Sequence, residues 1–514
     1  MAMPRLMENG RWRGLIAVSL VTLVQGAAAG VAALATRGLF EAMHAGSALP
    51  PPLLAALILS GLVIAGARVL SRLLGERLGQ GYALDIRVAL LDHASGMPAS
   101  AVARRRSGYM SLRFVGDMTA LRNWPGKGLP RLIAAMVMIP AACAVLWLLE
   151  PRLAIVIAPL LAVTLAGLAL AGPRLQPLHR RLRARRARIA AEMAERMPLA
   201  PELDRMGRRA AEIRHLRKRT GRMVRAALHR LFWAESLKAV PDAVAGLAAC
   251  AVIVTGAQTG AETGTIAGAL AAIGLVLSPM RDLAGVWNFH AAHRAAHRKA
   301  VAALSRDQRG TGRGDLRLPK GPLPVAVRGF RAPSGAVLSL DISKGQSHSL
   351  TCDPSDADAL FSALRGLEKL PRGRITLAGI CLTELSRGSL RRGVHSVTST
   401  PVVLCGSLRR NLALGLATRP PDKTLERTAR TVGLGPLMDR IGGLDGLLAE
   451  GGRDLSARER SALSLARARL ARPQIVLLGD GVRHVDRRAR QSLAAHIDRR
   501  GATVLRHPVL APET

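Results

Sequence analysis

Six long hydrophobic runs dominate the first part of the chain. Each run is near the ~20 residues that a helix needs to cross ~30 Å of hydrocarbon. The pattern therefore predicts an α-helical polytopic membrane domain over residues 1–304. The six predicted spans cover about residues 15–36, 53–74, 132–149, 153–172, 239–258 and 265–286.

The pattern changes after the last run. Residues 305–324 are rich in Gly, Pro, Arg and Asp, which is typical of a linker. From Val325 onward, short β-like runs such as Ile475-Val-Leu-Leu alternate with helical stretches such as Ser461–Leu470. This alternation predicts a soluble α/β domain over residues 325–514.

Charge restricts the possible functions. Lys and Arg number 74 against 35 Asp and Glu, a net charge of +39, while 49% of the residues are hydrophobic. These values fit a nucleic-acid binder or a membrane protein with basic cytoplasmic loops. The inter-run segments alternate between Arg-rich and Arg-poor, so we predict a protein in contact with membrane lipid, with no specific nucleic-acid partner. The positive-inside rule puts both termini and the α/β domain in the cytoplasm, at the cytoplasmic membrane.

Four segments carry a family resemblance. They are residues 85–93, which precede Arg106-Ser-Gly-Tyr and Asp117, and residues 401–412, 455–469 and 475–486. Their order and spacing resemble those of an ABC exporter half-transporter, with a six-span membrane domain fused to a P-loop NTPase-like ABC domain. The resemblance covers nearly all of the chain. It implies ATP and Mg²⁺ as cofactors, a second half-transporter chain as partner, and a transported substrate that the sequence does not identify.

The phosphate-binding loop departs from that family. A P-loop needs glycines for close backbone approach to the phosphates, a Lys to neutralise them and a hydroxyl for Mg²⁺. The matching stretch begins at Cys352 and has Asp358 at the Lys position and Ala359 at the hydroxyl position. One charge pair at ~4 Å and ε ~20 is worth about 4 kcal/mol, so Lys-to-Asp changes the interaction by roughly twice that. We predict an acidic turn over residues 352–359 that binds ATP weakly or not at all.

The other nucleotide-contacting positions are degenerate too. The Q-loop position is Ser399, and Phe330 is the ring nearest to the adenine-stacking position. At Walker B, alignment from the D-loop residue Asp486 puts Gly479 at the metal carboxylate and Asp480 at the catalytic Glu; a shift by one residue makes Asp480 the metal ligand instead. His507 is a candidate switch histidine, although a lone His near the end of the chain is more often incidental.

The signature motif is altered in three of its five positions. Leu455 and Ser456 match the family pattern, and Ser456 could reach a γ-phosphate in a partner's site. Glycines at a helix start let N–H groups meet phosphate, and their replacement obstructs that contact. The substituted positions are Ala457, Arg458 and Glu459. Two interpretations remain: Arg458 supplies charge to a partner's phosphate, or the helix start is merely structural.

Two membrane-domain features leave alternatives open. His290, His293 and His297 lie at helical spacing, which fits a solvated basic helix better than a metal site lacking a carboxylate second shell. No metal site is predicted. Asp242 lies in the fifth run, where a carboxylate is costly, so it is either a substrate or proton site or an interfacial residue.

The sequence therefore favours a subunit of an exporter-type transporter whose own nucleotide site is inactive. A heterodimer with an intact partner is favoured over a homodimer, since a homodimer would have no competent site. Two alternatives stand beside it: a non-transporting membrane scaffold or regulator with a relic ABC domain, and an active ATPase with unorthodox phosphate ligands.

Overall fold

A computed structural model describes residues 3–103, 117–310, 314–370 and 372–510. It divides into two compact units. The first comprises residues 1–93 and 105–306, and the second comprises residues 94–104 and 307–514. The Arg106–Tyr109 segment that contributes to the family resemblance lies outside the described residues.

The first unit is helical. Its helices are α1 (Arg11–His44), α2 (Pro51–Ser95, whose last two residues belong to the second unit), α4 (Met118–Asn123), α5 (Leu129–Leu149), α6 (Pro151–Arg196), α7 (Ala200–Arg205), α8 (Arg209–Thr259) and α9 (Thr263–Leu304). A π-helical turn, Trp124–Gly128, joins α4 to α5. Among the described residues, six helical segments are long and apolar enough to cross a membrane, which agrees with the predicted number of spans. Helices α2, α6 and α8 run well beyond the apolar runs.

Helix α9 forms the centre of this unit. It packs against α1, α5, α6 and α8. Of the 18-residue segment that makes α9 a candidate span, 53% is buried, whereas 11% of the corresponding segment of α2 is buried. The helical stripe Ala135, Ile139, Ala142 and Leu146 of α5 joins the shared core. Most large apolar side chains of α2 instead face outward, Ile58 and Leu62 among them, as expected for a lipid-facing helix.

Helix α2 approaches its neighbours through glycines. A Cβ at Gly75 would lie 2.6 Å from the carbonyl oxygen of Gly126, and one at Gly79 would lie 2.6 Å from that of Arg122. Only a residue without a side chain permits this backbone contact, which is how small residues act in membrane helix packing.

The second unit alternates strands and helices, as the sequence predicts. Its strands are β1 (Val325–Arg331), β2 (Val337–Ile342), β3 (Ser347–Ser349), β4 (Arg374–Leu377), β5 (Ile380–Cys381), β6 (Val394–Val397), β7 (Gly406–Ser407), β8 (Leu447–Leu448), β9 (Ile475–Leu478) and β10 (Thr503–Arg506). Its helices are α3 (Ala99–Ala103), α10 (Pro354–Leu364), α11 (Arg387–Gly393), α12 (Leu408–Leu412), α13 (Asp422–Thr431), α14 (Gly435–Ile441), α15 (Ala457–Ala471) and α16 (Arg487–Asp498).

Two four-stranded sheets organise this unit. The order β2-β1-β4-β5 is antiparallel, and the order β3-β10-β9-β6 is parallel. The apolar run Ile475–Leu478 forms the inner strand β9, and its Ile475 and Leu477 pack in one core with Leu360 and Leu364 of α10. A buried parallel strand of this kind needs apolar residues on both faces. The carboxyl ends of β6 and β9 therefore lead to the positions that the sequence assigns to nucleotide chemistry.

Two outlying segments belong to the second unit. The N–H of Ala99 donates to the carbonyl of Leu367 at 2.9 Å, and the hydroxyl of Ser100 donates to the carboxylate of Glu368 at 2.8 Å. The end of the predicted linker also contributes to its core, because Leu323 is buried there.

Candidate nucleotide site

The phosphate-loop position is largely helical. Strand β3 ends at Ser349, only Leu350–Asp353 lie between it and α10, and α10 begins at Pro354. The predicted acidic turn over residues 352–359 is therefore wrong for residues 354–359. Proline at the first helical position has a backbone preorganised for a helix, and there is no glycine in this stretch to favour an open loop.

Asp356 fastens the first turn of α10 to the β1–β2 turn. Its carboxylate accepts a hydrogen bond from the backbone N–H of Ser334 at 3.2 Å and another from the Ser334 hydroxyl at 2.5 Å. Asp356 is 1% exposed. The carboxylate therefore serves an internal contact. Phe330, on the adjoining strand β1, is buried in the core, so its ring is not presented for adenine stacking.

His507 also contacts the first turn of α10. The backbone N–H of Val509 donates to Nδ1 at 3.3 Å, so the ring proton belongs on Nε2, which lies 3.1 Å from the carbonyl oxygen of Pro354. The ring is buried and makes an edge contact with Phe361. Nε2 also lies 3.6 Å from a carboxylate oxygen of the exposed Asp358. The candidate switch histidine thus binds the start of α10.

Negative charge surrounds the short loop. Burial, followed by the nearby carboxylates of Asp356 and Asp353, raises the pKa of the Cys352 thiol. A phosphate brought to this position would meet the same carboxylates. Ala359, at the hydroxyl position, packs against the core of the unit.

Asp480 and Ser399 are joined directly. Asp480 follows β9, and its carboxylate accepts hydrogen bonds from the hydroxyl and the backbone N–H of Ser399, the latter at 3.2 Å. Partial burial would raise the pKa of Asp480, but these bonds, the N–H of Gly481 and nearby His484 together lower it. Asp480, the predicted Walker B remnant, therefore binds Ser399 as an ionised carboxylate.

The two glycines that flank Asp480 lie against the segment after β6. A Cβ on Gly479 would stand 2.9 Å from the carbonyl oxygen of Val397, and one on Gly481 would stand 2.4 Å from the carbonyl carbon of Thr398. A carboxylate side chain at position 479 would crowd this backbone. The close approach is part of the arrangement that holds Asp480 on Ser399.

The signature segment forms a capped helix start. Ser456 caps α15 in a capping box, with its hydroxyl accepting from the N–H of Glu459 at 3.2 Å and the Glu459 carboxylate accepting from the N–H of Ser456 at 2.7 Å. Arg440 pairs with Glu459 at 3.1 Å, and Arg458 pairs with Asp486. Leu455 is buried and Ala457 opens the helix. These contacts fit the structural interpretation of Arg458, since its guanidinium already has an internal carboxylate.

The membrane-domain candidates have internal partners as well. Asp242 forms an ion pair with Arg281 of α9. His290 lies edge-on to Trp124, with ring centroids 4.8 Å apart, and His293 stacks near the same ring. Within the described ranges, no group of three or more His, Cys, Asp or Glu residues is placed to hold a metal ion.

A cavity of about 560 Å³ lies among α1, α2, α5 and α9. Arg131 and Asp282 line it and pair at 3.3 Å. Three further cations, Arg68, Arg72 and Lys127, also line it. In the part of the chain that the structure describes, these three have no carboxylate partner.

Sequence reasoning did not identify the Asp356–Ser334 contact as a restraint on the phosphate loop. The positions are 22 residues apart, and neither belongs to a recognisable motif. One signal was present, since an Asp in the otherwise apolar face of α10 is costly to bury without a donor.

The chain was compared with known proteins. The profile of the family described as "ABC transporter transmembrane region" matches residues 15–272. An ATP-dependent lipid A-core flippase of Thiobacillus denitrificans is 24% identical over 433 residues, 82% of this chain and 75% of the flippase. The multidrug resistance-like ATP-binding protein MdlA of Escherichia coli is 27% identical over 248 residues, 45% of this chain and 41% of MdlA. The mycobactin import ATP-binding/permease protein IrtB of Mycolicibacterium thermoresistibile is 34% identical over 127 residues, 24% of this chain and 22% of IrtB.

Proposed function

Because the chain belongs to the ABC transporter transmembrane family, we propose that it is an exporter subunit whose own nucleotide site is inactive and which depends on a partner chain for ATP hydrolysis. The exporter type follows from its flippase and multidrug-type relatives.

The observation that carries the proposal is the start of α10 at Pro354. Backbone N–H groups can wrap a triphosphate only if the loop stays open. Here the first helical turn fills that place, and Asp356 and His507 hold it from two sides. The residues present do not fit Mg-ATP: they supply no lysine and no hydroxyl ligand at positions 358 and 359, and they surround the loop with carboxylates.

The altered signature supports dependence on a partner with its own intact phosphate loop. In the resembled family, each nucleotide lies between one P-loop and the opposite signature. A homodimer of this chain would pair a closed P-loop with a capped signature at both sites. A heterodimer would retain at least the partner's P-loop and Walker B carboxylates.

The test is co-purification of the tagged full-length chain from its native membranes, with ATPase measured on the isolated chain and on the complex. We expect no Mg-ATP photo-crosslinking to residues 345–366 of the isolated chain and no hydrolysis above background. We expect an intact half-transporter to co-purify and to supply the activity.

Two results would contradict the proposal. Hydrolysis by the isolated chain that Asp480→Ala abolishes would establish an active ATPase with unorthodox ligands. Recovery of the chain without any ABC partner, together with no effect of its loss on any export phenotype, would favour the membrane scaffold.

The membrane cavity supports a coarse substrate class. Cations without a carboxylate partner are costly in a membrane unless they face water or an anionic ligand. Arg68, Arg72 and Lys127 line one cavity, and one flippase relative, matched over 82% of this chain, is named for lipid A-core. The substrate proposed here is an amphiphile with an anionic headgroup.

Photoreactive lipid analogues test this assignment on the purified chain in nanodiscs. An anionic analogue should crosslink more strongly than a zwitterionic one, and Arg68→Gln with Arg72→Gln should remove the difference. Arg77→Gln is the matched control, because Arg77 lies on the same helix and does not line the cavity. An equal loss with Arg77→Gln would assign the effect to surface charge.

The alternation of basic and Arg-poor segments supports an orientation with both termini in the cytoplasm, at the cytoplasmic membrane. Protease added outside spheroplasts should cut an epitope inserted after Gly46 and spare one inserted after Gly207. The reverse pattern would overturn the orientation.

A further inference from the structure

A basic groove lies on the soluble unit, at the ends of three helices. It has a volume of about 990 Å³, near the upper end of the range for ligand sites. Arg392 of α11, Arg427 of α13 and Arg469 of α15 line it, together with Arg499 directly after α16. Among the described residues, its lining includes nine Lys and Arg residues and no Asp or Glu. Cations from separate parts of the chain therefore gather on one concave surface.

Most of these cations have no carboxylate partner. Arg419 pairs with Asp422 at 2.9 Å, and the other cations of the groove form no ion pair with the described residues. Arg469 donates to the hydroxyl and the carbonyl oxygen of Ser492, and Arg499 donates to a backbone carbonyl at 2.9 Å. These acceptors orient the guanidinium groups but leave their positive charge without a counter-charge.

Arginines elsewhere in the same unit are paired with carboxylates. Arg440 pairs with Glu459 at 3.1 Å, and Arg430 pairs with Asp439 at 3.5 Å. The groove differs because α11, α15 and α16 carry cations at their C-terminal ends, where the helix dipole favours positive charge without a carboxylate. An anionic ligand would therefore not have to displace an internal partner from these cations.

The cations of the groove also lie close enough to repel one another. Burial, followed by the charges of Arg499 and Arg427, lowers the pKa of Arg469. Burial, with Arg469 next in effect, lowers the pKa of His496. Nε2 of His496 is buried and has no hydrogen-bond partner among the described atoms. An anion bound in the groove would relieve this repulsion.

We propose that this groove binds an acidic segment of a partner polypeptide. Arginine clusters recognise acidic motifs through charge-assisted hydrogen bonds. Leu416, Pro420 and Leu470 lie among the cations and offer contacts to apolar side chains of such a segment. Within the described residues, no Phe, Tyr or Trp lines the groove, so it has no platform on which nucleic-acid bases would stack.

The partner is a different polypeptide from this chain. A second copy would bring further positive charge to the groove, because the net charge of the chain is +39. A lipid bilayer presents its charge on a broad plane, whereas these cations line a concave surface. An acidic peptide with intervening apolar residues matches both the charge of the groove and its apolar positions.

The experiment measures the fluorescence anisotropy of a labelled peptide of repeating Glu-Glu-Leu with the purified full-length chain in zwitterionic nanodiscs. We expect binding that weakens as salt is added. The same peptide with Gln in place of Glu should bind about tenfold more weakly. Arg427→Gln combined with Arg499→Gln should raise the Kd of the acidic peptide by about tenfold. Both side chains are exposed, so this variant should fold.

The control is Arg331→Gln combined with Arg374→Gln, which removes the same charge from exposed positions of β1 and β4 outside the groove. It should leave the Kd unchanged. An equal loss with the control, equal binding of the Gln peptide, or no binding of the acidic peptide would overturn the proposal. Oligothymidylate that binds at least as tightly as the acidic peptide, and is lost in the groove variant, would assign the groove to nucleic acid instead. These measurements involve neither ATP hydrolysis nor transport, so the inference does not rest on the proposed function.

Discussion

The core of the soluble unit and its nucleotide face differ in what they have kept. The core retains apolar strands and helices whose buried residues, such as Leu477 and Leu364, interlock across the parallel sheet. At the predicted nucleotide face, the side chains make contacts within the chain instead of facing a ligand. Asp356 binds Ser334, Asp480 binds Ser399, and Ser456 binds the backbone of Glu459. The residues that stabilise the fold are therefore different from those that would bind a nucleotide, even within one motif.

Chemical probes can follow the two units separately. All five Trp residues lie in the first unit, whereas Cys352, Cys381 and Cys405 lie in the second. With Cys143, Cys250, Cys381 and the exposed Cys405 replaced by Ser, labelling of Cys352 in increasing urea reports the soluble unit, and Trp fluorescence reports the membrane unit. Far-UV circular dichroism follows unfolding at low pH, where protonated thiols react too slowly to serve as a probe.

The largest effect is expected in the core. Leu477→Ala should reduce the free energy of unfolding of the soluble unit by about 2–5 kcal/mol, because it removes a fully buried side chain and leaves a cavity. Thiol labelling should begin at lower urea while Trp fluorescence is unchanged. Val337→Ala is the control, since Val337 is 61% exposed. Similar losses for both variants would break the distinction between core and surface.

The next largest effect is expected at Asp356, which binds Ser334 beside the phosphate-loop position. Asp356→Ala should reduce the free energy of unfolding by about 1–3 kcal/mol, because it removes the two hydrogen bonds that Ser334 donates to the buried carboxylate. Asp358→Ala, two positions away and 74% exposed, should cost almost nothing. Labelling of Cys352 should accelerate in the first variant only. If Asp356→Ala leaves both stability and Cys352 labelling unchanged, the Asp356–Ser334 hydrogen bonds do not hold the loop in place.

A smaller effect is expected at the signature. Ser456→Ala should cost about 1 kcal/mol through loss of the α15 cap, whereas Ser456→Gly should cost only a few tenths. The urea midpoint of thiol labelling distinguishes them. Equal losses would indicate that the hydroxyl acts in a way that capping does not explain.

The smallest effect is a pH dependence at Asp480. Its pKa is lowered in the folded chain, so its contribution is present above the unfolded pKa of about 3.9 and is lost as pH falls through the folded value. Asp480→Asn should therefore be less stable than the natural chain at pH 6, and the difference should shrink below about pH 4. A difference that grows in acid would mean that burial outweighs the Ser399 bonds.

Much of the fold could be predicted because it depends on local pattern. The six apolar runs correspond to six helices of membrane-spanning length, and Ile475–Leu478 forms the buried strand that its composition indicates. The site was predicted less completely. Its positions were assigned from spacing and stay predictions, and the helix start at Pro354 was missed because family spacing suggested a loop where local propensity favours a helix.

Hydrophobic periodicity and residue identity are local properties, so the order of amino acids is enough to predict the two-part architecture and the absence of the phosphate-binding residues. The roles of the remaining side chains follow from the fold. The pairing of Asp356 with Ser334, the burial of His507 against Pro354 and the gathering of Arg392, Arg427 and Arg499 around one groove join residues that are distant in the chain. Burial and hydrogen bonding depend on which elements pack together, and that is a property of the folded molecule.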